Sequence, residues 1–151
     1  MPYLRPILLV EDDRNDVELI QTAFRETNLA NDIVVAQDGE QALDFLYRRG
    51  AYATRQPIQP AVVLLDLKMP KVDGREVLRQ MRADPELRTI PVVVLTSSRE
   101  EQDLYETYKL GANAYVVKPV GFQNFVSAVG KLGFFWALMN ELPPDRPAPS
   151  K

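Results

Sequence analysis

The sequence predicts a doubly wound α/β domain on a five-stranded parallel sheet. The first observation is that short apolar runs recur five times along the 151 residues: Ile7–Val10, Ile33–Ala36, Ala61–Leu65, Pro91–Leu95 and Ala114–Val117. Three of them (ILLV, AVVLL and PVVVL) are apolar throughout and rich in β-branched residues. That is how strands covered on both faces read, and strands covered on both faces belong to parallel sheets. The second observation is helical spacing between the runs, which gives the order βαβαβαβαβα of a single domain without internal repeats.

Taken in order, Val17, Ile20 and Phe24 mark the apolar stripe of a first helix. Leu43 with Leu46 mark the second stripe, and Val77, Leu78 and Met81 the third. Helix starts are marked by Asp38-Gly39-Glu40-Gln41, Asp73-Gly74-Arg75-Glu76 and Ser98-Arg99-Glu100-Glu101. Each puts a capping oxygen three residues ahead of Glu or Gln, where it can satisfy amide donors of a first turn. Gly50 and Gly111 stand where two helices should stop. Ala51–Pro60, with Pro57 and Pro60, is a longer connection than α/β units need. A long last helix is expected from Phe122 to Leu142, ended by Pro143-Pro144. The domain is therefore expected over 6–142, followed by a proline-rich tail, 143–151.

Composition narrows the chemistry. The chain contains no cysteine and no histidine, which excludes disulfides, thiol catalysis, Cys-bound metals and every Ser-His or Cys-His nucleophile. A net charge of −3 argues against non-specific nucleic-acid binding. The start, Met1-Pro2-Tyr3-Leu4-Arg5-Pro6, lacks the apolar stretch of a secretory signal. Uncharged runs such as Pro119–Gly130 fall short of the roughly 18–20 residues of a membrane span. A cytoplasmic protein that contacts neither membrane nor nucleic acid is expected.

The polar residues at the strand exits carry the functional information. The first run ends in Glu11-Asp12-Asp13, the third in Asp66, the fourth in Thr96-Ser97-Ser98 and the fifth in Lys118. In a doubly wound sheet all carboxyl strand ends share one edge, and ligands bind where strand order reverses. With strand order 2-1-3-4-5, Glu11, Asp12 and Asp66 meet in that crevice. Three crowded carboxylates repel one another unless neutralised; a divalent cation and the Lys118 ammonium balance them. Oxygen-only donors suit Mg²⁺. A blander reading has Asp12 or Asp13 capping the first helix and Asp66 opening a turn, but it leaves the convergence of three acids, a Thr and a Lys unexplained.

The motifs Leu9-Val10-Glu11-Asp12, Leu64-Leu65-Asp66-Leu67-Lys68-Met69-Pro70, Asp73-Gly74, Val94-Leu95-Thr96-Ser97 and Tyr115-Val116-Val117-Lys118-Pro119 occur in order and on the right strand ends. In them the chain resembles the response-regulator receiver domains of two-component signalling, over about Pro6–Leu142. The resemblance implies a flavodoxin-like receiver fold and a single-domain regulator in a phosphorelay rather than an enzyme. Asp66 would be the phosphoacceptor for a phosphohistidine of a sensor histidine kinase. Asp12, Asp66 and the Lys68 carbonyl would ligate Mg²⁺, with Glu11 acting through water. Lys118 would pair with the phosphoryl oxygens, and Thr96 would hydrogen-bond them while the Tyr115 ring turns inward as a switch. The Lys118–Pro119 bond would be cis, and Lys68 with Ser98 would influence acyl-phosphate lifetime.

The apolar last helix carries Phe134-Phe135-Trp136, which point in several directions at the helical angle, so at least one ring should face outward. A homodimer through these residues and the neighbouring sheet edge is expected. With the long Arg48–Pro60 connection, this helix is similar to the single-domain regulators that accompany bacterial phytochrome kinases. Three competing readings each meet an obstacle in the sequence. A haloacid-dehalogenase-like phosphatase using Asp66 as nucleophile needs a second acid two positions later, where Lys68 stands. A flavin carrier needs a hydroxyl-rich phosphate loop where Glu11-Asp12-Asp13 would repel phosphate. A degenerate receiver that only binds would not need the complete set of acids, Thr96 and Lys118.

Overall fold

Three of the five apolar runs, Ile7–Val10, Ala61–Leu65 and Pro91–Leu95, become strands buried along their whole length. The computed structural model describes residues 4–26, 30–69, 71–97, 99–118, 123–124, 127–128 and 130–131. Strands β1 (Ile7–Val10), β2 (Ile33–Ala36), β3 (Val62–Leu65), β4 (Val92–Thr96) and β5 (Ala114–Val117) form one parallel sheet in the order β2-β1-β3-β4-β5. The central strands are covered on both faces, whereas β2 and β5 at the edges are mostly half-buried. Helices α1 (Arg14–Glu26), α2 (Gly39–Tyr47), α3 (Gly74–Ala83) and α4 (Glu101–Lys109) supply the crossovers.

Alternation along the strands divides the core in two. Ile7, Leu9, Val62, Leu64, Val93 and Leu95 face Ile20, Ala23 and Phe24 of α1. Leu8, Val10, Val63, Leu65, Val92 and Val94 face α2 and α3. On that side Leu43 and Leu46 meet Val77, Leu78 and Met81, the two stripes expected from spacing. Burying each such side chain contributes roughly 1.5–3 kcal/mol.

The helix signals are resolved differently in detail. Asp38 accepts from the Gln41 amide and Asp73 from the Glu76 amide, the two caps expected. Ser98 lies outside the described residues, and α4 starts later, at Glu101, after Glu100, which makes no side-chain cap bond. Gly111 follows α4 with φ +109, as a stop should. Gly50 does not itself end α2. The helix closes two residues sooner, at Arg48, which takes the left-handed conformation and donates to the Phe45 carbonyl. Residues 123–124, 127–128 and 130–131 are helical. Phe134, Phe135, Trp136, the Lys118–Pro119 bond and the tail fall outside the described residues. No helix among the described residues is long and apolar enough to cross a membrane.

The long connection after α2 is tied down chiefly by one side chain. After a 3-10 turn at Gly50–Tyr52, Arg55 donates to the carbonyls of Phe45 (2.7 Å), Gln56 (2.7 Å) and Ile58 (3.0 Å) and to Gln59 Oε1 (3.1 Å). Its guanidinium lies 4.0 Å from the Phe45 ring centroid. A planar fork with five donors suits carbonyls that turn in several directions. Arg55→Ala is expected to cost about 2 kcal/mol, from several charge-assisted bonds and a cation–π contact. Arg55→Lys should recover little of it, and thermal denaturation of the three proteins checks this.

Candidate functional site

The sheet brings the acidic residues together through its register. β1 and β3 pair with Val10 opposite Leu65, so Glu11 and Asp66 leave the sheet side by side. The Asp66 amide donates to the Val10 carbonyl (3.1 Å), and the Glu11 amide to the Ala36 carbonyl of β2 (3.0 Å). Glu11, Asp12 and Asp66 then present carboxylate oxygens that all lie within 4.8 Å of one another. Lys118 arrives from the end of β5, where its amide donates to the Thr96 carbonyl (2.7 Å). Its ammonium reaches back to Glu11 Oε1 (2.5 Å) and Asp16 Oδ2 (2.7 Å), and lies 3.7 Å from Asp66 Oδ2. These residues, with Asp13, Arg14, Asn15 and Ser97, line an open cleft of about 510 Å³.

The loop after β3 is held by a close backbone approach. A Cβ on Gly74 would lie 2.2 Å from the Asp66 carbonyl oxygen, so only glycine lets the start of α3 approach this closely. The Gly74 amide donates to the Leu67 carbonyl (2.9 Å). Lys68 is exposed, with its amide 3.4 Å from Asp66 Oδ1. Thr96 is 1% exposed at the end of β4, and the cleft wall there is formed by its neighbour Ser97. Tyr115 is half-buried and packs against the α2–α3 side of the core.

Burial and charge oppose each other here. Burial pushes the Glu11 carboxyl up to about 8; the Lys118 hydrogen bond lowers it, and the nearby Asp66 raises it further. Burial also works to lower the Lys118 ammonium, but its bonds to Asp16 and Glu11 and the attraction of Glu11 and Asp66 outweigh that and raise it. Lys118 therefore remains charged, and one ammonium does not suffice for the cluster. Hard oxygen donors from three crowded carboxylates, one of them pushed up by burial, and an open face fit a divalent cation such as Mg²⁺ or Mn²⁺.

Two acids beside the cluster have roles that strand-end reasoning did not separate. Asp13 caps α1, accepting from the Asp16 amide at 3.1 Å, so the capping reading holds for Asp13. Nothing at the strand ends marks Asp16 as the partner of Lys118 that it is. The available signal was its place in the first turn of a helix beginning directly after the acidic strand end, which aims that turn back at the cleft.

The response-regulator receiver domain family matches residues 7–130. The chain belongs to the receiver-domain family. Among curated relatives, the response regulator Rcp1 of Synechocystis sp. is 37% identical over 137 residues, covering 91% of this chain and 92% of that protein. Among solved structures, the bacteriophytochrome response regulator AtBRR is 60% identical with a TM-score of 0.75, covering 93% of this chain and all (100%) of that one. The phosphorylated cyanobacterial phytochrome response regulator RcpA superposes at a TM-score of 0.87 with 37% identity, covering 94% of this chain and 100% of that one. The Mn²⁺-bound form of Rcp1 superposes at 0.86 with 36% identity, covering 93% and 99%. This receiver has the sheet order expected of the family.

A divalent cation entering the cluster would compete with protonation of Glu11, whose carboxyl burial pushes up. A carboxyl with a raised folded-state value holds a proton that the cation must expel, so affinity should fall as pH drops below about 8. The fall is expected to approach about tenfold per pH unit, with a plateau above pH 8. Calorimetric Mg²⁺ titrations between pH 6 and 9 measure it; a flat profile would contradict the assignment.

Proposed function

We propose that this receiver accepts a phosphoryl group on Asp66 from a phosphohistidine of a sensor histidine kinase, in a Mg²⁺-dependent reaction, and signals through protein contacts. The observation that carries this is the placement of Asp66. It is part-exposed at an open cleft, beside two further carboxylates and within 3.7 Å of a Lys118 ammonium. Glu11 is buried and bonded to Lys118, which leaves it poorly placed to meet a donor. An Asp66 oxygen attacks phosphorus, the O–P bond forms as the P–N bond breaks, and the imidazole leaves to take up a proton. Such transfer depends on positioning and charge neutralisation more than on covalent chemistry from the protein. Asp12, Asp66 and the Lys68 carbonyl would hold Mg²⁺, with Glu11 through water; the ion would offset charge on the cluster and the phosphoryl oxygens. Lys118 would pair with those oxygens.

The buried Thr96 and half-buried Tyr115 suit a switch. Phosphorylation adds about one negative charge, and the Thr96 hydroxyl would move to bond it as the Tyr115 ring follows. The 60% identity to a bacteriophytochrome response regulator, with likeness to phytochrome regulators over nearly the whole chain, supports a bacteriophytochrome-type kinase as donor. We take the receiver unit as 6–142, with 143–151 as a tail, and place the protein in the cytoplasm, where such kinases present their histidines. A homodimer through the last helix, including Phe134, Phe135 and Trp136, is the expected assembly, and apolar surface on α4 near the sheet edge supports it. On α4, Leu104, Tyr105 and Tyr108 are 39%, 68% and 48% exposed, beside the edge strand β5. A haloacid-dehalogenase-like phosphatase is not favoured, because the position of its second acid holds the exposed cation Lys68.

Phosphotransfer from a purified, labelled bacteriophytochrome kinase tests the reading. The wild-type chain should acquire label within minutes, and chelation of Mg²⁺ should stop it. Asp66→Asn should lower incorporation by more than about 100-fold, since Asn offers no anionic nucleophile. Undiminished labelling of that variant would overturn the assignment, and transfer from other sensor kinases alone would overturn the phytochrome link.

A further inference from the structure

Lys118 is held mainly by residues other than the one it is expected to serve. Its ammonium lies 2.7 Å from Asp16 and 2.5 Å from Glu11, but 3.7 Å from Asp66. Glu11 belongs to the cluster whose oxygens converge on a cation site, whereas Asp16 does not. When a cation draws on Glu11, Asp16 is the carboxylate left to hold Lys118. Its place is fixed by the α1 turn, where its amide is bonded to Asp13 Oδ1. We infer that Asp16 is a positioning residue that tethers Lys118 away from Asp66, so that an incoming phosphoryl group must compete for the ammonium. The inference rests on the acceptor reading of Asp66.

Two physical effects act in the same direction. The Lys118 side chain is 12% exposed and that of Asp16 26%, so their contact is a partly dehydrated, charge-assisted bond rather than a surface pair. Breaking it subtracts from what Lys118 gains on the phosphoryl oxygens. In addition, one divalent cation and the Lys118 ammonium would balance the three cluster carboxylates, and of the other charged residues lining the cleft, Asp13 and Asp16 are negative against Arg14 alone, so Asp16 adds negative charge beyond that balance. An incoming phosphoryl dianion therefore meets both an engaged cation and extra repulsion. Asp16 weakens phosphoryl binding and keeps the unphosphorylated state favoured.

Beryllofluoride, a phosphoryl mimic, tests this in the full chain at saturating Mg²⁺, with affinity read from amide NMR shifts and Lys118 read from its side-chain 15Nζ resonance. Asp16→Asn should bind the mimic about fivefold more tightly and shift the Lys118 resonance before the mimic is added. Asp16→Glu, which keeps the carboxylate, should stay within about twofold of wild type. Asp13→Asn removes a charge from the same cleft yet keeps a capping oxygen, and should gain less than about twofold with Lys118 unmoved. Equal or weaker binding by Asp16→Asn overturns the tether, as does an equal gain from Asp13→Asn. A wild-type chain that ignores beryllofluoride would remove the acceptor reading itself.

Discussion

Negative charge concentrated where β1 and β3 leave the sheet is the constraint on which the site depends. Val10 opposite Leu65 forces Glu11 and Asp66 into adjacency, and the main-chain ladder behind them lets neither retreat. The core pays for this crowding: its two apolar layers hold the strands in register against the repulsion at their ends. Burial then sharpens the conflict by denying Glu11 the water that would solvate its charge. Positive charge must be imported. Lys118 supplies part of it from two strands away, and a hard divalent cation is the natural source of the rest.

The same arrangement links the cleft to the elements around it. The Lys118 amide is bonded to the Thr96 carbonyl, so the ends of β4 and β5 are linked behind the cleft. Beyond them α4 turns Asp103 and Thr107 inward rather than an apolar stripe, and Asp103 is paired with Arg75 at the start of α3. A helix that buries no large apolar side chain is cheaper to shift than one docked by packed apolar side chains. Among the described helices, α4 is therefore the element with the least apolar anchorage, and it stands next to the residues that would sense a new phosphoryl group.

Much of this was legible in the sequence because the signals were local and physical. Continuous β-branched runs reported the three central strands, and the stripes of Ile20, Leu46 and Val77 reported the core faces of three helices. The acidic strand ends could be read as one site since a doubly wound sheet places them together. What was missed depends on three-dimensional neighbours. Nothing local marks Arg55 as the clamp of its loop, because its partners are mostly backbone carbonyls that any sequence presents. Arg48 closes α2 in a conformation usually left to glycine, ahead of Gly50. Asp16 looks like an ordinary first-turn acid until Lys118 folds back onto it.

The most direct measurement is chemical identification of the phosphorylated side chain. After phosphorylation with Mg²⁺ and reduction with borohydride, an aspartyl phosphate becomes homoserine, which peptide mass spectrometry locates. The account predicts homoserine at position 66 alone. Homoserine at position 12 instead, or recovery of the phosphoryl group on a hydroxyl such as Thr96 or Ser97, would contradict it.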